Sequence, residues 1–297
     1  MSIIESALAK LRRSGAPETA ATVLTARPAA ASAPQAPAVA VAPRPAYVLK
    51  HVATDLPALR AAGYLPESGL ERRFADHFRQ IKRPLVDKAL AGGPDMRLIL
   101  VSSALPGDGK TFTSINLALS IARERDVGVL LVDADAPKRR VSEVFGLRDA
   151  RGLLDALGDP SVPVESLIVE TDIPRLQILP AGKFVEGAPE LFASARMDEV
   201  AARLGVRDPP RIAIFDSAPL LVSSEGRTLL RIPGQVVLVV RTGATPRQAI
   251  LDAAAMVDNR KLQGLILNQT AFRRGGGYDY YDYSGYGEEQ GAPPADP

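Results

Sequence analysis

RLILVSSALPGDGKTFTSINLALS, residues 97–120, is the stretch of sequence that decides the fold. Within it, residues 98–101 are all apolar, which is typical of a strand buried on both faces of a parallel sheet. After a loop, the apolar residues Leu117, Ala118 and Ile121 recur at helical spacing. The loop itself, residues 104–111, fits the P-loop pattern, with Ala104 in the place of the first glycine. The stretch therefore predicts a strand, a phosphate-binding loop and a helix, in that order.

This loop supplies most of the residues expected to bind ATP. Its glycines let backbone N–H groups approach phosphate oxygens, and the helix that follows directs its positive end at them. The Lys110 side chain would reach the β- and γ-phosphates, and the Thr111 hydroxyl would hold Mg²⁺. The amide of Asn268, at the end of the last predicted strand, fits either of two roles, a hydrogen bond to a base edge or a cap on the turn. The predicted ATP-binding set is Pro106, Gly107, Asp108, Gly109, Lys110, Thr111, Phe112 and Asn268.

Two later strands end in carboxylates. The buried strand predicted at residues 127–133 runs into Asp133 and Asp135, and RIAIFD, residues 211–216, ends in Asp216. Strand C-termini in an open α/β sheet face the ligand crevice, where an Asp pair can hold Mg²⁺ or accept a proton from an attacking hydroxyl. The alternative for the pair is a helix-capping turn. Asp216 resembles the Walker B Asp, which binds Mg²⁺ through water.

Composition limits the fold and the chemistry. The chain has 297 residues, a net charge of +2, no Cys and two His, which disfavours disulfide scaffolds, thiolate chemistry, zinc sites and a role in nucleic-acid binding. Further buried strands are predicted at residues 177–180, 235–241 and 263–267, and a surface helix at 189–204. We therefore predict a three-layer α/β sandwich of the P-loop NTPase type with a mostly parallel central sheet. The lack of a signal peptide or a long apolar run predicts a cytoplasmic location.

The ends of the chain differ from its centre in composition. Residues 1–13 fit a short amphipathic helix that either docks or frays, and residues 14–64 are predicted to be an Ala/Pro-rich linker. The folded domain is expected at residues 65–274, followed by a disordered tail at 275–297. Either a sticky low-complexity segment or a phosphoacceptor array would explain the tyrosines of this tail, and the neighbouring P-loop favours the array. The tyrosines are Tyr278, Tyr280, Tyr281, Tyr283 and Tyr286.

A helix is also predicted at residues 71–90, where four apolar side chains form one stripe. On its other side Asp76, Arg79 and Lys82 recur every third residue. Their spacing alone favours a solvated charged face over an interface.

SSALPGDGKT, LLVDADA, IAIFDSAP and the terminal tyrosines together resemble a bacterial tyrosine kinase of the polysaccharide-biosynthesis autokinase family, in the soluble form associated with exosortase systems. The resemblance implies ATP and Mg²⁺ as cofactors and autophosphorylation of the tail in trans, in control of exopolysaccharide synthesis, export and chain length. It implies Lys110, Asp133 and Asp135 as catalytic residues, with Asp133 as the base on tyrosine. Thr111, Asp133 and Asp216 are the implied metal ligands.

The resemblance also implies partners. The family's Glu-x-x-Arg-x-x-Arg ring interface is matched conservatively by Asp76, Arg79 and Lys82, which reverses the preference for a solvated face. A membrane chain-length-determinant protein is the implied activator and would recruit the chain to the inner face of the membrane, and a cognate tyrosine phosphatase is the implied antagonist.

Two other classes of protein share the P-loop. A partition or septum-positioning ATPase would carry a second, signature lysine near the start of the loop, where this chain has Leu105. A P-loop transferase acting on a small metabolite would need a pocket whose residues the sequence does not identify.

Overall fold

A computed structural model describes residues 49–205 and 210–269 of the chain. The predicted amphipathic helix at residues 1–13, most of the predicted linker and the tyrosine-rich tail lie outside the described residues. In the described part, no helix is both long enough and apolar enough to span a membrane.

The described residues form one sheet of eight strands in the order β1-β4-β5-β3-β6-β2-β7-β8. Only the β4–β5 pair is antiparallel among the pairs of this sheet, and the others are parallel. The mostly parallel sheet expected from alternating strands and helices is therefore confirmed. The strands are β1 Lys50–Val52, β2 Leu98–Ser103, β3 Gly128–Ala134, β4 Val169–Thr171, β5 Leu176–Leu179, β6 Arg211–Ser217, β7 Gln235–Arg241 and β8 Leu262–Asn268.

Helices cover both faces of the sheet. The helices are α1 Leu56–Ala61, α2 Glu71–Ala91, α3 Lys110–Ile121, α4 Arg140–Val144, α5 Leu153–Gly158, α6 Ala188–Ala193, α7 Ala195–Gly205, α8 Ser224–Leu229 and α9 Arg247–Ala255. Short 3₁₀ turns occur at Pro94–Arg97 and Val164–Leu167.

Strand residues alternate between two hydrophobic cores, as the period of two in a strand requires. In β3, Val129 and Leu131 pack in the core that contains residues of α1 to α4, while Leu130 and Val132 pack in the core that contains residues of α5 to α9. Both sets are fully buried, so the strand reads as a continuous apolar run. The three-layer α/β sandwich predicted from the sequence is confirmed.

The folded region begins earlier than predicted. Strand β1 and helix α1 lie within residues 14–64, the range predicted to be linker. Strand β1 pairs with β4 through Lys50 and Val169, and the Leu59 side chain of α1 is buried with Phe78 of α2. Elements of three and six residues are too short to show a period, and their order comes from tertiary pairing.

The helix predicted at residues 189–204 is two helices. The backbone of Ser194 is extended between α6 and α7, with φ −72° and ψ 156°. The Ser194 hydroxyl donates a hydrogen bond to the Leu191 carbonyl at 2.7 Å, so a local side-chain contact takes a carbonyl that a continuous helix would use. Val200 and Leu204 are nevertheless buried as predicted.

Candidate active site

The P-loop connects the buried strand β2 to the first residue of α3. Gly107 and Gly109 have φ angles of +86° and +95°, in the left-handed region that favours glycine. A Cβ at Gly109 would collide with the Asn268 side chain, so this position requires glycine on two grounds. The turn thereby directs the N-terminus of α3 into the cleft, as expected for a phosphate cradle.

Helix α3 covers the face of β6 that carries Asp216, because Asp216 follows Ile212 and Ile214 on that face. The Thr111 hydroxyl donates to Asp216 Oδ2 at 2.8 Å, and the Ser114 hydroxyl donates to Oδ1 at 2.9 Å. Thr111 and Ser114 are one helical turn apart, so both hydroxyls reach the same carboxyl. The structure thus brings the predicted Walker A threonine and Walker B Asp together.

Asp133 lies beside Asp216, since the two residues are register partners on β3 and β6. Asp133 Oδ2 accepts hydrogen bonds from the backbone N–H and the hydroxyl of Ser142, both at 2.7 Å. The other oxygen, Oδ1, is buried and has no hydrogen-bond partner among the described residues. One oxygen of this carboxyl is therefore fixed and the other is available to a ligand.

Burial controls the ionisation of both carboxyls. Desolvation raises the pKa of Asp216 to about 7, and the neighbouring charge of Asp133 adds to the shift. Desolvation raises the pKa of Asp133 to about 6, against the hydrogen bonds from Ser142, which favour the ionised form. Both carboxyls are fully buried, so a cation that binds here would stabilise charges that burial alone disfavours.

Lys110 is a buried cation whose charge acts on Asp216. Only 5% of its surface is exposed, and burial lowers the pKa of its ammonium group, while Asp216 and Asp135 oppose the shift. Burial likewise raises the pKa of Asp135, against the charges of Lys110 and Lys138. A desolvated ammonium group that directly follows the P-loop glycines is suited to bind an anion.

Lys110 and Asp135 line an open cleft of about 570 Å³. The other lining residues are Tyr64, Gly107, Gly109, Thr111, Phe112, Pro137, Lys138, Arg140, Glu143 and Arg148. Five of the residues predicted to bind ATP are in this set, and Pro106, Asp108 and Asn268 are not.

Asp108 and Asn268 instead stabilise the P-loop through hydrogen bonds. Asp108 is buried, and its carboxylate accepts hydrogen bonds from the Leu105 N–H at 3.2 Å and from the Thr245 hydroxyl at 2.7 Å. The Asn268 amide donates to the Asp108 carbonyl at 3.0 Å. In this structure the Asn268 amide therefore binds the loop backbone, which corresponds to the turn-capping alternative.

Comparisons with known proteins agree with this geometry. No family model matches the chain. The chain is 30% identical over 188 residues to the tyrosine-protein kinase YwqD of Bacillus subtilis, in an alignment that covers 63% of this chain and 78% of YwqD. The chain belongs to the bacterial tyrosine kinases. The kinase domain of the Escherichia coli tyrosine kinase ETK has the same fold, with a TM-score of 0.61 and 22% identity over 75% of this chain and 97% of that domain.

A longer relative of this bacterial tyrosine kinase is the succinoglycan biosynthesis transport protein ExoP of Rhizobium meliloti. The two are 29% identical over 215 residues, which are 70% of this chain but only 26% of ExoP. The chain thus corresponds to most of YwqD and to about a quarter of ExoP.

One predicted interface residue of the kinase lies elsewhere than expected. Asp76 and Arg79 form an exposed ion pair at 2.9 Å on α2. Lys82 is 8% exposed, and its amine contacts Glu124 at 2.6 Å and the Ser120 carbonyl at 2.8 Å, both near the end of α3. Six residues turn a helix through about 240°, so Lys82 leaves the face that carries Asp76. In this structure Lys82 thus binds α3 of its own chain, and the interface predicted from the three residues stays a prediction.

Sequence reasoning missed several residues of the site. Ser142 holds Asp133 from nine positions along the chain, and Tyr64 reaches the cleft from the turn after α1. Neither carries a motif. Ser114 had a usable signal, because it lies one helical turn after Thr111.

Proposed function

We propose that this chain is an ATP-dependent protein tyrosine kinase that phosphorylates tyrosines of its own C-terminal tail in trans. The observation that carries the proposal is the buried acidic pair, Asp133 and Asp216, set against Lys110 and Thr111 of the P-loop in a chain related to YwqD. This arrangement supports in-line transfer, in which the phenol oxygen bonds to the γ-phosphorus and the bond to the β-phosphate oxygen breaks, releasing ADP.

The residues present fit a Mg²⁺ ion. Thr111 and Asp216 offer oxygens to one place, and Asp133, the register partner of Asp216, adds its negative charge there. Mg²⁺ is usually held by one or two carboxylates together with substrate phosphates, and when bound it neutralises charge on those phosphates. Lys110 would add positive charge at the transferred group from the P-loop side.

Asp133 is the proposed acceptor of the phenol proton. Its Oδ1 has no described partner and can accept the proton, while Ser142 holds the other oxygen in place. Asp135 lines the cleft beside Lys110 and is the alternative acceptor. A pair of variants, Asp133→Asn and Asp135→Asn, separates them, because only loss of the base removes the rise of kcat with pH.

The biological role extends this proposal. By analogy with ExoP, which is named for succinoglycan biosynthesis, we propose a role in the synthesis, export and chain length of an exopolysaccharide. A membrane co-polymerase would activate the kinase and recruit it to the inner face of the membrane, a tyrosine phosphatase would oppose it, and the kinase would assemble as a ring through the α2 face that carries Asp76 and Arg79.

The test is phosphosite mapping by mass spectrometry on the full chain after incubation with Mg-ATP, with and without the cytoplasmic segment of the co-polymerase. Wild type should carry phosphate between Tyr278 and Tyr286, and Lys110→Met should carry none. Lys50→Met, which changes an exposed lysine on the edge strand β1, is the matched control and should behave as wild type.

An unmodified tail with continued ATP hydrolysis would overturn the kinase proposal. It would support a positioning-type ATPase, which nucleotide-dependent binding to membranes or DNA would then identify.

A further inference from the structure

Three cations from the segment after β3 line the nucleotide cleft. Lys138 follows β3, Arg140 begins α4, and Arg148 lies beyond the end of α4. All three line the cleft, and the side chains of Arg140 and Arg148 are each 51% exposed. We refer to these three residues as the basic rim.

The basic rim is only partly neutralised. Two acids line the cleft with it: Asp135 lies near Lys138, and the Glu143 carboxylate contacts Arg140 at 2.7 Å and Arg148 at 3.4 Å. One carboxylate thus serves two guanidinium groups, each of which has five N–H donors. Asp135 is shared between Lys110 and Lys138, so the cleft lining as a whole carries more cations than carboxylates.

Aromatic and apolar surface lies next to this charge. Tyr64 and Phe112 line the same cleft, as does Pro137, which directly precedes Lys138 in the sequence. The Phe112 ring is fixed against Phe74 of α2, with ring centroids 6.0 Å apart. A phenol that enters between cations and ring faces finds both apolar contact and electrostatic attraction.

We propose that the basic rim is the acceptor-recognition site of this kinase and that it selects tyrosines flanked by carboxylates. The proposal rests on the proposed function and names its substrate class. The chain's own tail has the matching chemistry, because residues 275–297 contain no Lys or Arg. The acids near its tyrosines are Asp279, Asp282, Glu288 and Glu289.

Arginine suits this role because its planar fork pairs with carboxylates through two hydrogen bonds. The P-loop glycines and Lys110 form the expected phosphate cradle, whereas the rim comes from the segment after β3, so acceptor and nucleotide would be held by different parts of the chain. Removal of rim charge should therefore weaken use of the acceptor while leaving nucleotide affinity unchanged.

The test is a double-mutant cycle on the full chain. One chain carries Lys138→Gln and Arg148→Gln, a second has its four tail acids changed to Asn or Gln, and a third combines both sets. We expect each set to slow initial tail phosphorylation about tenfold at low salt, and the combination to be no slower than either, because both remove the same interaction. The dissociation constant for a fluorescent ATP analogue should change less than twofold.

Arg125→Gln is the matched control, because Arg125 is an exposed arginine in the loop before β3, at the other end of that strand from the rim. It should leave both rates and affinities unchanged. Independent, multiplicative losses in the cycle would overturn the proposal. So would a tenfold loss of nucleotide affinity in the rim variant, which would make the rim part of the ATP site.

A binding measurement separates this proposal from the proposed function. If no chain transfers phosphate, the kinase proposal fails, and fluorescence anisotropy still decides the role of the rim. The probe is a labelled peptide of residues 275–290, titrated with the neutral-tail chain and Mg-ADP. Binding at least tenfold tighter than that of an Asn/Gln version of the peptide supports acidic selection, and equal binding overturns it.

Discussion

At the scale of single residues, the Asp216 carboxyl holds its proton more tightly in the folded protein than it would in water. Its pKa is raised from 3.8 to about 7, so between about pH 4 and pH 7 the folded state binds more protons than the unfolded state. The contribution of this group to the free energy of unfolding is therefore fully present below about pH 4 and is lost as the pH rises to 7. At pH 8 and without Mg²⁺, the buried negative charge of Asp216 thus destabilises the protein, although the same charge is needed to bind the ion.

Asp216→Asn should consequently stabilise the chain at pH 8 while removing its response to Mg-ATP. Each pKa unit corresponds to about 1.4 kcal/mol, so the gain should reach up to about 4 kcal/mol at pH 8 and fall to about 1.5 kcal/mol at pH 5. Urea unfolding of wild type and variant at the two pH values measures it. A gain of equal size at both pH values would show that charge burial is not its cause.

Gly109→Ala tests the contact between the P-loop and the end of β8. The left-handed φ of +95° and the collision with Asn268 should together cost more than the roughly 1–2 kcal/mol expected for the backbone alone. Gly107→Ala is the control, since its φ is +86° but its Cβ would meet open space. Chemical denaturation should rank wild type above Gly107→Ala and Gly107→Ala above Gly109→Ala, and Asn268→Gly should recover part of the second loss. Equal losses at the two glycines would argue against the collision.

Residues with a motif could be predicted from the sequence, and residues that act through another residue could not. Lys110 and Asp216 meet where the pattern of strand ends and P-loop implied. Ser142 and Thr245 contact Asp133 and Asp108 only because distant segments pack together, and no local pattern marks such a contact.

At the scale of elements, helices α2 and α3 are joined by Lys82. Its nearly buried amine binds Glu124 and caps the Ser120 carbonyl at the end of α3, where the helix dipole favours a cation. Lys82→Met keeps the length of the side chain but leaves that carbonyl without its donor, and we expect a loss of about 1–3 kcal/mol in the free energy of unfolding. The control is Arg83→Met, whose side chain is 81% exposed and should change stability by less than about 0.5 kcal/mol. If the two variants unfold alike, Lys82 is not a structural link.

The elements differ in how well they could be predicted from the sequence. Long strands and the 21-residue helix α2 were predictable because their apolar period extends over many residues. Strands β1 and β4 have only three residues each and are held by pairing with other strands of the sheet, and the break at Ser194 involves a local side-chain hydrogen bond, so no periodic pattern marks them in the sequence.

At the scale of the whole molecule, tail phosphorylation should change assembly. Each phosphotyrosine adds about −1.5 to −2 of charge, so five would add nearly −10 to each tail and repel neighbouring subunits. We expect light scattering to give a lower mass for the phosphorylated chain than for Lys110→Met incubated with the same Mg-ATP. Identical masses would contradict this assembly switch. Salt at 1 M, which screens charge beyond about 3 Å, should restore the larger form of the phosphorylated chain.

Strand β8 ends at Asn268, whose side chain grips the P-loop, so the acceptor tail leaves the domain within reach of the nucleotide. Ten residues separate Asn268 from Tyr278, and whatever path they take they span no more than about 36 Å. Tyr278 is thus confined to a sphere of that radius around Asn268, which corresponds to a local concentration of at least several millimolar. The tail of a neighbouring subunit, which the proposed reaction in trans requires, would need a comparable local concentration to compete, and assembly into a ring would supply it.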